Sequence, residues 1–133
     1  MLSVSSNDGK INIYSQEILI SREEISQRVE ELGRQISTDY QGSELHLVGV
    51  LNGAFIFLAD LVRQLNIPCQ ICFLQASSYK EQKVSSGEVL LMHNLDLSGK
   101  HVLVVEDIFD SGLTLRSILE DLQFQKPLSI EIC

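Results

Sequence analysis

Three acids crowd one short stretch of this chain, Glu106, Asp107 and Asp110, and Ser111, Gly112 and Thr114 follow them directly. Carboxylates repel phosphate, so Glu106 and Asp107 suit other partners, sugar hydroxyls and a hard divalent cation such as Mg²⁺. The residues after them suit phosphate itself. A helix N-terminus presents unpaired N–H groups and partial positive charge. A glycine lets backbone approach a ligand closely, and Ser111 and Thr114 add hydroxyl donors. Phosphate on one side, with ribose and a divalent cation on the other, describes a phosphorylated sugar.

The flanking residues show how this group would be positioned. Val102 to Val105 is a continuous apolar run, the pattern of a strand buried on both faces of a parallel sheet. Glu106 and Asp107 close that strand, and their side chains diverge unless the chain turns there. Leu115, Ile118, Leu119 and Leu122 then recur at helical spacing, predicting a helix over 113–124. An ordinary buried strand followed by a capped helix would explain Ser111, but not three acids on one loop.

The rest of the chain supplies similar units. Residues 1–10 read as a loose tail, and Ile11 to Ser15 as a short leading strand. Ser21 and Glu24 have capping-box spacing, and Ile25, Val29, Leu32 and Ile36 form one apolar stripe behind them. Gly33 should weaken this helix slightly, and Gly42 should end it. Leu45 to Leu51 is a second buried strand, with His46 near its start as a partnered or surface residue. Asn52-Gly53 turns into a helix carrying Phe55, Leu58, Leu61, Val62 and Leu65, stopped by Asn66 and Pro68. Cys69 to Ala76 is a further strand, 77–87 a polar mobile loop, and Glu88 to His93 a returning strand. Leu95 and Leu97 sit in the turn before the central strand, and Leu128 to Cys133 forms a last strand beyond Pro127.

Strands alternating with helices predict a doubly wound, mostly parallel α/β sheet flanked by helices. Ligands in such sheets bind beyond the carboxyl ends of the strands. Both candidate turns, 51–53 and 106–114, lie at such ends.

Composition narrows the function. At 133 residues the chain is expected to be a single domain, 1–133, with a real core. A net charge of −8 argues against general nucleic-acid binding, which needs a basic face. The absence of a spanning apolar run or a leader-like N-terminus points to a cytoplasmic protein with no membrane partner. Cys69 and Cys72 have C-x-x-C spacing, but on a strand they face opposite sides and cannot chelate together. All three cysteines are expected as reduced core or edge residues.

The run Val-Val-Glu-Asp-Ile-Phe-Asp-Ser-Gly-Leu-Thr, 104–114, closely resembles the phosphoribosyl-pyrophosphate (PRPP) motif of type I phosphoribosyltransferases. The third acid, Asp110, is similar to the hypoxanthine-guanine branch. Leu51-Asn52-Gly53 resembles the pyrophosphate-binding turn, with Asn52 where the family often has Lys or Arg. Ser78-Tyr79 resembles the pair on the family's flexible lid, which would place the lid at 77–87. The resemblance runs from about residue 14 to the end. It implies the type I phosphoribosyltransferase fold, truncated at the C-terminal edge, without the segment that reads the base.

What the resemblance implies about function is purine salvage. Ribose 5-phosphate would pass from PRPP to hypoxanthine or guanine, giving IMP or GMP and pyrophosphate, with Mg²⁺ as cofactor. Glu106 and Asp107 would hold the ribose hydroxyls, directly or through the metal, and Asn52 and Gly53 the pyrophosphate. Asp110, Ser111, Gly112, Leu113 and Thr114 would bind the 5-phosphate, and Asp110 would also be catalytic at N7 of the purine. The partners implied are PRPP, a 6-oxopurine base and further copies of the chain as a dimer or tetramer. Two other classes share parts of this pattern. A receiver domain also begins with Leu-Val-Val-Glu-Asp, but needs far more chain than the 26 residues that follow Asp107. A non-catalytic PRPP-binding remnant or regulator, created by the missing base-recognition end, is the alternative.

Overall fold

A computed structural model describes residues 18–75, 96–108 and 113–133. The tail, the leading strand, the returning strand at Glu88 to His93 and Leu95 lie outside these residues. In chain order the described elements are α1 (Arg22–Asp39), β1 (Leu45–Leu51), α2 (Phe55–Val62), β2 (Cys69–Gln75), β3 (His101–Val105), α3 (Leu113–Phe124) and β4 (Ser129–Ile132). The strands form one four-stranded sheet in the order β2-β1-β3-β4, and every neighbouring pair is parallel. This is the expected doubly wound α/β arrangement.

The two central strands are mostly apolar, His46 and His101 excepted, because both their faces are covered. Leu45 and Leu47 of β1, with Leu103 and Val105 of β3, pack against Val29 and Ile36 of α1 and Leu58 and Leu61 of α2. Val48, Val50, Val102 and Val104 point the other way, onto Leu115, Ile118 and Leu122 of α3. Alternation along each strand thus feeds two cores. Leu97, read from the sequence as a turn residue, is wholly buried in the second core. Its N–H donates to the Gln125 side chain at 3.3 Å.

α1 starts as its capping box predicts. The Ser21 Oγ accepts from the Glu24 N–H at 3.2 Å, and the Glu24 carboxylate accepts from the Ser21 N–H at 2.7 Å. Val29 and Ile36 are buried, while Ile25, at the exposed start of the stripe, keeps 53% of its surface. The helix ends at Asp39 on a Tyr40 cap whose N–H donates to the Ile36 carbonyl, three residues ahead of Gly42. α2 is shorter than its apolar pattern suggested. Its last turn tightens, with Gln64 N–H to Leu61 and Leu65 N–H to Val62 bonds, so it closes before Asn66 and Pro68 are reached. Leu65 still packs on the first core, but from outside the helix.

Two further expectations are corrected. His46 is neither at the surface nor fully partnered. It is only 5% exposed, and its Nδ1 is buried without a hydrogen-bond partner. β1 is central, so even its second residue is enclosed. Gly33 is more than a break in helix propensity. A Cβ there would lie 2.4 Å from the Gln64 Cβ and 3.0 Å from the Gln64 carbonyl oxygen. The bare backbone lets α1 approach the end of α2, where the Ser37 hydroxyl also accepts from the Asn66 N–H at 2.9 Å.

The cysteines behave as expected. All three are free, with Cys69 on the first core and Cys72 on the second, on opposite faces of β2.

Gly33→Ala therefore sets helix propensity against packing. An exposed helical site would gain roughly 1 kcal/mol from this change. Here the overpacking against Gln64 should win, lowering stability by about 1–3 kcal/mol. Thermal unfolding of the variant should show a lower midpoint; a raised one would mean that the helices separate without cost.

Candidate functional site

The register of the sheet creates the site. Gly49 of β1 stands opposite Val105 of β3. β1 runs on to Leu51 and β3 ends at Val105, so the segments that follow them, 51–53 and 106–107, both leave the carboxyl end of the sheet. The peptide bond Leu51–Asn52 is cis, and the turn that follows leads into α2. A Cβ on Gly53 would lie 2.3 Å from both carboxylate oxygens of Asp107 and 2.5 Å from its Cγ. The turn 51–53 is thus in direct contact with Asp107, in the described part of the 106–114 turn singled out in the sequence.

Glu106 and Asp107 do not diverge as successive strand residues would. β3 ends at Val105 and the chain bends at Asp107. The side chain and backbone of Asp107 lie near enough to act on the Glu106 carboxyl. Burial, the shared hydrogen bond and the neighbouring charge push the Glu106 carboxyl up to about 7, and the Asp107 N–H only partly offsets this. Two carboxyls so placed call for a shared proton, a cation or hydroxyl donors.

The backbone of this bend is fixed by β4, which composition alone did not signal. The Glu106 N–H donates to the Cys133 carbonyl at 3.1 Å, and the Cys133 N–H to the Val104 carbonyl at 2.8 Å. Cys133 therefore orients Glu106 through its main chain. Only the pairing of β3 with β4 shows this, because nothing in the side-chain pattern of Cys133 marks the role.

The other predicted site residues fall differently. The backbone of Leu113 and Thr114 opens α3. Their side chains lie outside the described residues, as do Asp110, Ser111 and Gly112 in full and the lid pair Ser78 and Tyr79. Among the described residues no group of three or more His, Cys, Asp or Glu side chains could hold a metal. The Glu106–Asp107 pair still fits Mg²⁺, which is commonly held by one or two carboxylates with waters and substrate phosphates.

A cavity of about 550 Å³ lies elsewhere, between α1 and β4, lined by residues including Leu32, Ile36, Tyr40, His101, Ser129 and Glu131. Its polar wall is already internally bonded. The His101 Nδ1 and Ser129 Oγ are 2.7 Å apart, and the Tyr40 ring meets His101 edge-on. His101 and Ser129 begin their strands, so this wall sits at the opposite end of the sheet from the acids.

The raised Glu106 carboxyl has a measurable consequence. Its folded value lies above the unfolded one, so the native state holds more protons between about 4.5 and about 7. Stability is favoured below this window and falls as pH rises through it. Unfolding midpoints taken from pH 5 to 8 should decline less steeply for Glu106→Gln than for the native chain. Parallel profiles would show that Glu106 ionises normally.

Residues 15–133 match the family model of the phosphoribosyl transferase domain. The chain is 44% identical over 124 residues to the hypoxanthine phosphoribosyltransferase of Salmonella typhimurium, covering 90% of this chain and 70% of that protein. It is 44% identical over 122 residues to the hypoxanthine-guanine phosphoribosyltransferase of Dictyostelium discoideum, covering 87% and 68% respectively. Among solved structures, a hypoxanthine-guanine phosphoribosyltransferase from Bacillus anthracis superposes with a TM-score of 0.77 at 38% identity, covering 91% of this chain and 71% of that one. The relatives are enzymes by name, and the parallel sheet is their fold. The chain therefore belongs to the phosphoribosyl transferase domain family, among the hypoxanthine-guanine phosphoribosyltransferases.

Proposed function

We propose that this chain, as one domain over 1–133, takes part in purine salvage in the cytoplasm, transferring ribose 5-phosphate from PRPP to hypoxanthine or guanine with release of pyrophosphate. The observation that carries the reading is the contact of Gly53 with the Asp107 carboxylate. It joins the turn suited to pyrophosphate with the acids suited to ribose, at the carboxyl end of a parallel sheet, where ligands of such folds bind.

Each residue then has a part. Glu106 and Asp107 accept hydrogen bonds from the ribose hydroxyls. Asn52 and Gly53 meet the pyrophosphate through the turn's backbone, and the neutral Asn52 brings no charge to that contact. The N-terminus of α3, with Ser111, Gly112, Leu113, Thr114 and the Asp110 backbone, receives the 5-phosphate, since a helix start favours anions. Ser78 and Tyr79, on the 77–87 lid, close over the substrates and exclude water.

Transfer breaks the bond between C1 of the ribose and the pyrophosphate and forms one to N9 of the purine, through an oxocarbenium-like state. Mg²⁺, when bound, neutralises charge on the pyrophosphate leaving group. Asp110 acts at N7 of the purine, as a base or by opposing the positive charge that develops there. A free aspartate titrates near about 3.9 and is a weak base, so its contribution is electrostatic unless burial raises it. Assembly as a dimer or tetramer accompanies this reading.

Pyrophosphate release from PRPP, Mg²⁺ and hypoxanthine or guanine tests the proposal. The chain should turn over, and Asp110→Asn should lower turnover by about 10²–10⁴-fold while PRPP binding stays within a few-fold of the native chain. A folded native chain that binds PRPP without releasing pyrophosphate would instead support the non-catalytic reading. Equal loss of binding and turnover in Asp110→Asn would remove its catalytic role.

A further inference from the structure

We propose that Gly53 is a positioning residue that sets the place of the Asp107 carboxylate by having no side chain. The inference rests on the reading above, in which Asp107 meets the ribose, and adds to it a reason for glycine at this position.

Glycine is required at a turn for one of two reasons, a left-handed backbone or a lack of room. The first does not apply here. Among the described residues the glycines with positive φ are Gly42 and Gly99, and Gly53 is not one of them. The second applies directly. The space a Cβ would fill is taken by Asp107, whose two oxygens lie equally near at 2.3 Å and its Cγ slightly farther at 2.5 Å. The carboxylate therefore turns its open, oxygen-bearing end toward the turn. These distances are well inside van der Waals contact, so any side chain at position 53 displaces either the turn or the acid.

The acid is the part that gives way. The turn is anchored by the Ala54 N–H, which donates to the Val50 carbonyl at 3.2 Å, and Ala54 itself is wholly buried. Asp107 follows the last residue tied to β4 and is exposed. The neighbour that meets its carboxylate is Gly53. The contact thus fixes the spacing between the pyrophosphate turn and the groups that receive the ribose. Both parts of PRPP must be held at one fixed separation, so this spacing bears on affinity.

The test is a double-mutant cycle of Gly53→Ala and Asp107→Ala in the full chain, read by thermal unfolding and by calorimetric titration with PRPP and Mg²⁺. Gly53→Ala should lower the unfolding midpoint in the native background, and most of that loss should vanish when Asp107→Ala removes the clashing carboxylate. The same substitution should weaken PRPP binding at least tenfold in the native background and less than threefold beside Asp107→Ala. If Gly53→Ala does not fold, a folded double variant supports the contact, and an unfolded one overturns it. Equal effects in both backgrounds, in stability or in affinity, would show that Gly53 acts on its own and overturn the proposal. A native chain that does not bind PRPP would defeat the functional reading, while the unfolding cycle would still decide whether the contact holds Asp107.

Discussion

The parallel register between β1 and β3 is the constraint on which the rest of the site depends. Pairing Gly49 with Val105 places the segments that follow the two strands, 51–53 and 106–107, at the same end of the sheet. A slip by one residue would turn every apolar side chain of one strand to the wrong face. Two cores oppose such a slip, one under α1 and α2 and one under α3. The hydrophobic packing therefore fixes the contact of a turn and a carboxylate that lie far apart in the chain. Chemistry at the sheet's end draws its accuracy from burial in its middle.

Crowding at that end gives the site its character. The Asp107 carboxylate closes on the bare backbone of Gly53, and Glu106 precedes it in the chain. Two acids so close favour any partner that brings positive charge or hydroxyl donors. A sugar phosphate carried with a divalent cation brings both, which is the chemistry of the family to which the chain belongs. Cys133, directly after β4, holds Glu106 through main-chain bonds, so the end of this strand also helps shape the site.

Much of this was legible in the residues. The apolar runs at Leu45–Leu51 and Val102–Val105 marked the two central strands, and the spacing of Leu115, Ile118 and Leu122 marked the helix behind them. The capping box of Ser21 and Glu24 formed as its spacing required. Local patterns fix local structure well. What they missed came from tertiary neighbours. Gly33 read as a helix weakness because propensity is local, whereas its purpose is the close approach of Gln64. His46 read as a partnered or surface residue because polarity suggested it, yet the central strand encloses it and leaves its Nδ1 without a partner. The meeting of Glu106 with Asp107 depended on a bend that alternation alone does not predict.

On the proposed function, the joined turns at 51–53 and 106–107 form a PRPP site. Calorimetric titration of the native chain with PRPP, with and without Mg²⁺, tests it most directly. The account predicts saturable binding with one PRPP per chain, strengthened by Mg²⁺ and weakened at least tenfold by Asp107→Ala. A folded chain that takes up no PRPP, or binds it equally well after Asp107→Ala, would contradict the account.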